Sequence, residues 1–155
     1  MLIAATTYQW LLTAHILAAV IWVGGAFATQ VYAMRAQRAG PGRVAEFAGD
    51  IEWLGTRVFI PASLTLVVFG FLLAEEANWA WEFWLYAGLA VWALSFLVGA
   101  GFLGPESGRI NKLSAEFGPE HPDVQARLRR IFVISRIELV LLILIVLDMT
   151  LKPGA

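Results

Sequence analysis

The sequence predicts an all-α integral membrane protein, an antiparallel four-helix transmembrane bundle with an amphipathic interfacial helix in its first cytoplasmic loop. Three observations lead there. Of the 155 residues, 59% are hydrophobic and 15% charged, where a soluble domain has roughly half and about a quarter. The apolar residues come in four blocks, 8–34, 58–74, 83–104 and 131–151, each near or above the ~20 residues that cross a bilayer. Among the connections between these blocks, basic residues fall only in alternate ones. The whole chain, 1–155, reads as one transmembrane domain.

The first block is uncharged across 2–34 apart from His15, with a helix expected from about Tyr8. No Lys or Arg precedes it, and it is too long for a signal-peptide core, so it reads as a retained span. Beyond it Val44, Phe47, Ile51 and Leu54 recur at helical spacing among Arg43, Glu46, Asp50 and Glu52. That pattern predicts a helix lying at the inner interface. The second span is short and has Pro61 in its first turn, where proline is tolerated.

The connection after it carries Glu75, Glu76 and Glu82 but no Lys or Arg, and Trp79, Trp81 and Trp84 surround it as an aromatic belt. In the third span Gly88, Trp92, Ser95 and Gly99 share a face, which predicts a packing seam. Ile110, Leu113 and Phe117 form a weaker amphipathic stripe after it. Gly118-Pro119 and His121-Pro122 then break the chain, and Asp123 is placed to cap a helix running into the fourth span. That span carries Arg136, Glu138 and Asp148, yet 139–147 is an unbroken aliphatic run.

The first connection holds Arg35, Arg38, Arg43 and Arg57, and the third Arg109, Lys112, Arg127, Arg129 and Arg130. The positive-inside rule puts both connections in the cytoplasm and both termini outside.

Composition also excludes chemistries. The chain has no cysteine, so disulfides, thiolate metal sites and iron–sulfur clusters are ruled out. A net charge of −1 without a basic run gives no nucleic-acid patch. No Ser/His/Asp arrangement, phosphate loop or carboxylate-rich metal site is present.

The polar residues inside the spans carry what chemistry there is, because an ionisable group at membrane depth marks a functional site by default. His15 shares a helical face with Tyr8, Ala19, Trp22, Ala26, Thr29 and Ala33. Small residues there admit a neighbouring helix or a flat cofactor. The imidazole is then either a metal or haem ligand or proton carrier, or a neutral ring hydrogen-bonded to a neighbouring helix. Glu138 needs a partner at mid-span; Arg57, Arg109 and Gln30 are the candidates, and a structural ion pair is the plain reading. Arg136 lies near enough to the inner surface to snorkel. Asp148 is expected to pair with Lys152 one turn along. His121 lies too far from His15 to share a ligand site within one chain. A second axial ligand would be Tyr, Met, Glu, water or another subunit's residue.

Two stretches resemble known families. The segment His15-Ile16-Leu17-Ala18-Ala19-Val20-Ile21-Trp22-Val23-Gly24-Gly25 is similar to the first helix of the bacterial membrane protoporphyrinogen oxidases. It also resembles copper-resistance-D-like proteins and their uncharacterised four-span relatives. The C-terminal stretch from Glu138 to Lys152-Pro153 resembles the oxidases' last helix, with Ile137 in place of an Asn. The resemblance implies a haem b ligand at His15, with Trp22 beside the cofactor and Glu138 near it. It also implies a bacterial inner (plasma) membrane. Where the oxidases carry a Trp-Leu-His-Ala-Lys-Leu-like segment, this chain reads Trp84-Leu85-Tyr86-Ala87-Gly88-Leu89. Both the His and the Lys are absent, so the chain reads as a non-oxidase relative and not as an enzyme of that activity.

The leading expectation is a haem- or metal-binding membrane protein, with His15 as the metal ligand and a redox or transport-accessory role. The alternative is a non-enzymatic carrier subunit or assembly partner without cofactor, in which His15 and Glu138 are structural. Copper handling is a third reading, weakened by the few soft ligands of a chain with three methionines. The lipid bilayer is the expected partner. The small-residue faces of the first and third helices predict tight packing or a shared seam in a homo-oligomer.

Overall fold

The computed structural model describes residues 6–153. They form four long helices: α1 (Thr7–Ala39), α2 (Pro41–Glu76), α3 (Phe83–Phe117) and α4 (Pro122–Leu151). No strand occurs among the described residues. At 1.5 Å per residue each helix is ~45–54 Å long, well beyond the ~30 Å of a hydrocarbon core. Three of them, α1, α2 and α3, are long and apolar enough to cross a membrane. The apolar part of α4 carries Arg136, Glu138 and Asp148.

Local chemistry sets the helix ends. Thr6 and Gln9 form a capping box at the start of α1, the Thr6 N–H donating to Gln9 Oε1 at 2.8 Å and the Gln9 N–H to Thr6 Oγ1 at 3.3 Å. A single residue, Gly40, separates α1 from α2; its φ of +110° suits glycine, and Pro41 then opens α2. Gly118, at φ +89°, ends α3. The cap of α4 is His121, whose Nδ1 accepts from the Asp123 N–H at 3.3 Å. Asp123 therefore sits in the first turn of α4 and is not its cap.

Consecutive helices run antiparallel. The first half of α1 packs on the second half of α2, the first half of α2 on the second half of α3, and the first half of α3 on α4. Each of α1, α2 and α3 contains one π-helical turn, at Val20–Gly24, Gly55–Phe59 and Gly99–Leu103. The first two of these turns touch, and so do the second and third. Each π turn widens its helix by one residue and re-aims the side chains that follow, and such turns recur at functional sites.

The structure corrects the expectation of a separate interfacial helix in the first loop. Pro41–Leu54 is the first half of α2, continuous with the apolar half through the π turn. Its apolar face meets protein: Val44 and Ala48 are buried with Ala36, Ile110, Val124 and Leu128, and Phe47 packs against them. Ile110 is likewise buried, on α3 itself. The stripe read from the sequence is real, but an amphipathic face is buried equally well by lipid or by a neighbouring helix. The result is a core beyond the apolar spans, at the end rich in basic residues. Glu106 lies inside it, accepting from Arg127 at 2.6 Å with Arg109 at 3.5 Å.

At the level of the spans the interior is Trp22, Ala62 and Leu142, flanked by Phe59, Leu66 and Trp92. The outer surface of all four helices exposes large apolar side chains, among them Leu17, Phe27, Val68, Leu97 and Leu144. An apolar exterior of this extent marks a membrane surface. The small residues of α1 and α3 are used within the chain: Gly25 lies against Phe59, Gly88 against Met149 and Gly99 against Glu138.

Candidate functional site

Two chambers lie end to end along the helices, and Trp22 lines both. The first, of about 710 Å³, reaches the tryptophan-rich end and is lined by His15, Tyr8, Trp92, Met149 and Lys152 among others. The second, of about 290 Å³, lies towards the basic end and is lined by Glu138, Glu52, Gln30, Ser63, Ser95 and Ser107 among others.

His15 projects from α1 against α2. Its Nδ1 lies 2.8 Å from the carbonyl oxygen of Leu66. A carbonyl only accepts, so Nδ1 carries the proton and donates it, which leaves Nε2 with its lone pair free. One of the two sequence readings, a neutral ring bonded to a neighbouring helix, describes this Nδ1 contact. It does not use Nε2. The ring approaches α2 closely because residue 70 is glycine: a Cβ there would stand 3.2 Å from Cε1 and 3.4 Å from Nδ1.

The rest of the chamber is apolar and aromatic. Among its described lining residues Lys152 is the one side chain with a fixed charge. Its ammonium sits 4.2 Å from the Trp79 ring centre and 5.0 Å from that of Trp84. This corrects the expected Asp148–Lys152 pair. Lys152 adopts a left-handed conformation, φ 44°, and ends the helix, so its side chain leaves the i, i+4 line and turns to the indoles. The Asp148 carboxylate stays beside Gly88, its Oδ2 buried without a hydrogen-bond partner among the described residues.

Of the three residues singled out from the sequence for cofactor binding, His15 and Trp22 share the first chamber and Glu138 lies in the second. The expected ion pairs of Glu138 do not form. Arg109 turns to Glu106, Arg57 is exposed, and Glu138 has no ion pair among the described residues. Its Oε1 lies instead 3.3 Å from where a Cβ on Gly99 would stand. Gln30, the other partner expected for Glu138, lines the same chamber, with no hydrogen bond between the two among the described residues. Among the described residues no group of three or more His, Asp and Glu side chains is arranged to hold a metal.

Sequence reasoning missed Ser63 and Ser107, and read Ser95 only as part of a packing seam. Ser63, Ser95 and Ser107 are each 1% exposed, line the second chamber and have no hydrogen-bond partner for Oγ among the described residues. A serine in an apolar helix gives no signal by itself, because its hydroxyl can bond back to its own helix. Thr29 does so, donating to the Gly25 carbonyl at 2.8 Å.

No curated protein and no solved structure matches the chain. Residues 9–153 match the model of a family described as predicted integral membrane protein. The match covers nearly all of the sequence, and the chain belongs to that integral membrane protein family, DUF2269.

Proposed function

We propose that the protein is a four-span membrane protein that binds a planar anionic tetrapyrrole of the haem b class in the His15 chamber. Its role on this reading is redox or transport-accessory. The observation that carries it is the His15–Leu66 hydrogen bond. Metal-ligating histidines commonly donate one ring N–H to a carbonyl, which fixes the tautomer and orients the other nitrogen as the ligand.

The residues present suit such a group. A chamber of about 710 Å³ falls within the roughly 300–1,000 Å³ of ligand and cofactor sites. The walls are flat aromatic and aliphatic side chains, and Lys152 supplies a positive charge for an anionic edge. Met149 and Tyr8 line the same chamber and are the candidates for a second ligand. When bound, the group would supply one-electron chemistry; the chain binds, orients and screens it from water.

The same reading makes the helices an antiparallel four-helix transmembrane bundle in a bacterial inner membrane, with both termini outside. Val133, Ile137, Val140, Leu144 and Leu147 are exposed along α4, which suits lipid contact. Arg136 is exposed as well and reaches for the interface. The resemblance of the first helix to the protoporphyrinogen oxidases supports the haem assignment; Gly88 in place of their lysine speaks against their activity.

The test is the visible absorption spectrum of detergent-purified protein before and after dithionite, with and without added haemin. We expect a Soret band with sharpened reduced bands that His15→Ala removes. A protein that stays colourless with haemin, or a spectrum indifferent to His15→Ala, would overturn the assignment. A second reading is a cofactor-free carrier or assembly subunit in which the Leu66 bond makes His15 structural glue and Nε2 binds nothing. On that reading His15→Gln retains stability and no haem is taken up.

A further inference from the structure

We propose that the Glu138 chamber is a separate binding site for a small organic ammonium ion, a protonated amine carried on an apolar body. Charge comes first. Glu138 and Glu52 line the chamber, and no Lys, Arg or His appears among its described lining residues. The nearby basic side chains Arg109 and Arg127 are committed to Glu106. Such a chamber attracts cations and repels anions.

Hydrogen bonding comes second. Ser63, Ser95 and Ser107 are each 99% buried, from a relative exposure of 1%, and their hydroxyls have no partner among the described residues. Native proteins leave few buried polar atoms unpaired, and each one calls for an explanation. Ser63 on α2 and Ser95 on α3 line the chamber with Glu138, a carboxylate without an ion pair among the described residues. They supply acceptors that an ammonium N–H needs; Ser107 lies about 18 Å further along α3, towards Glu52.

Size and surface select the class of cation. A chamber of about 290 Å³ is far larger than a dehydrated alkali ion and sits at the small end of organic-ligand sites. Trp22, Phe59 and Phe96 are among its walls. Aromatic faces hold ammonium groups by cation–π attraction and pack against an apolar body. The three π turns each contribute to the lining through Trp22, Gly55 or Gly99. At Gly99 the missing side chain leaves the Glu138 carboxylate room beside α3.

The test uses the full-length protein in detergent and three probes of one shape: benzylamine, benzyl alcohol and benzoate, followed by calorimetry at neutral pH. We expect saturable binding of benzylamine at least about tenfold tighter than of benzyl alcohol, and no binding of benzoate. Exchanging potassium for sodium in the buffer leaves this order unchanged. Glu138→Gln brings benzylamine down to the affinity of benzyl alcohol, whereas Glu46→Gln, an exposed carboxylate outside the chamber, changes nothing. Equal binding of the three probes overturns the proposal, as does discrimination that survives Glu138→Gln or displacement of benzylamine by sodium. If Glu138→Gln does not fold, Ser63→Ala and Ser95→Ala carry the test. Each should weaken benzylamine by about threefold to tenfold and leave benzyl alcohol less affected; unchanged affinity in both overturns the site. Haemin uptake in the other chamber is read independently, so failure of either reading leaves the other standing.

Discussion

The imidazole of His15 rests on the bare backbone of Gly70: a Cβ at residue 70 would stand 3.2 Å from Cε1 and 3.4 Å from Nδ1. The same approach brings Nδ1 to 2.8 Å from the Leu66 carbonyl, one turn away on α2. Gly70→Ala must therefore push the ring outward and stretch that bond. A lost hydrogen bond costs about 0.5–1.5 kcal/mol, and alanine's better helix propensity returns up to about 1 kcal/mol. We expect a small net loss in thermal stability, with haemin affinity falling alongside. Gly42→Ala, where nothing stands within 4 Å, should hold stability level or raise it. Comparing the two by melting in detergent checks the claim.

Two other glycines separate rigid neighbours from soft ones. At Gly25 a Cβ meets the Phe59 ring, and at Gly88 it meets the end of the Met149 side chain. An aromatic ring in a packed cluster cannot yield, while a methionine terminus swings aside. Gly25→Ala should thus cost about 1–3 kcal/mol, the range for overpacking, and Gly88→Ala clearly less. Equal losses in a denaturation series would mean that the Phe59 ring and the Met149 terminus yield alike.

How much of this was legible in the sequence depends on whether a feature is local. The start of α1 and the clustering of Trp79, Trp81 and Trp84 are properties of short segments, and both were legible; so was the presence of His15 and Glu138 within apolar helices. The extension of α1 through Ala39 was not visible, because one glycine at φ +110° replaces a loop and a single Gly-Pro pair fits either outcome. The partner of the 41–54 stripe was not visible either, since periodicity fixes which face is apolar but not what covers it. Gly70, Ser63 and Ser107 matter only once helices are paired. The π turns have no sequence mark beyond the glycines Gly24, Gly55, Gly99 and Gly101, and glycine is common in membrane helices for other reasons.

Glu106 tests whether the basic end is a true protein core. It is 3% exposed and held by Arg127 at 2.6 Å and Arg109 at 3.5 Å. Removing one partner of a buried pair is costlier than the pair is worth, because the remaining charge is stranded. Arg127 is 40% exposed, so water softens the effect. Arg127→Ala should cost about 1–3 kcal/mol. Glu106→Gln with Arg127→Ala should cost less than the two single changes added together, and a double-mutant cycle measures that shortfall. Additive losses would mean that the pair is not coupled.

Trp22 is 6% exposed and forms the wall between the two chambers. Trp22→Ala should cost about 3–5 kcal/mol, as large-to-small changes at buried aromatics do. It should also merge the two spaces. Trp22→Phe keeps a wall and should cost much less. If the merged variant still separates haemin uptake from benzylamine binding as cleanly as the parent, Trp22 is not the divider.

The orientation and the fourth span yield to one labelling experiment, because the chain has no cysteine. Ala39→Cys and Glu120→Cys place exposed thiols at the basic end, and Ala80→Cys and Pro153→Cys place them at the tryptophan-rich end. A membrane-impermeant maleimide added to intact cells should label residues 80 and 153, and label 39 and 120 only after lysis. The charge asymmetry of the connections sets this expectation. Labelling of 120 and 153 from the same side would show that α4 does not cross. In that case the charges Arg136, Glu138 and Asp148 would outweigh its aliphatic run, and the Glu138 chamber would open to water along one side.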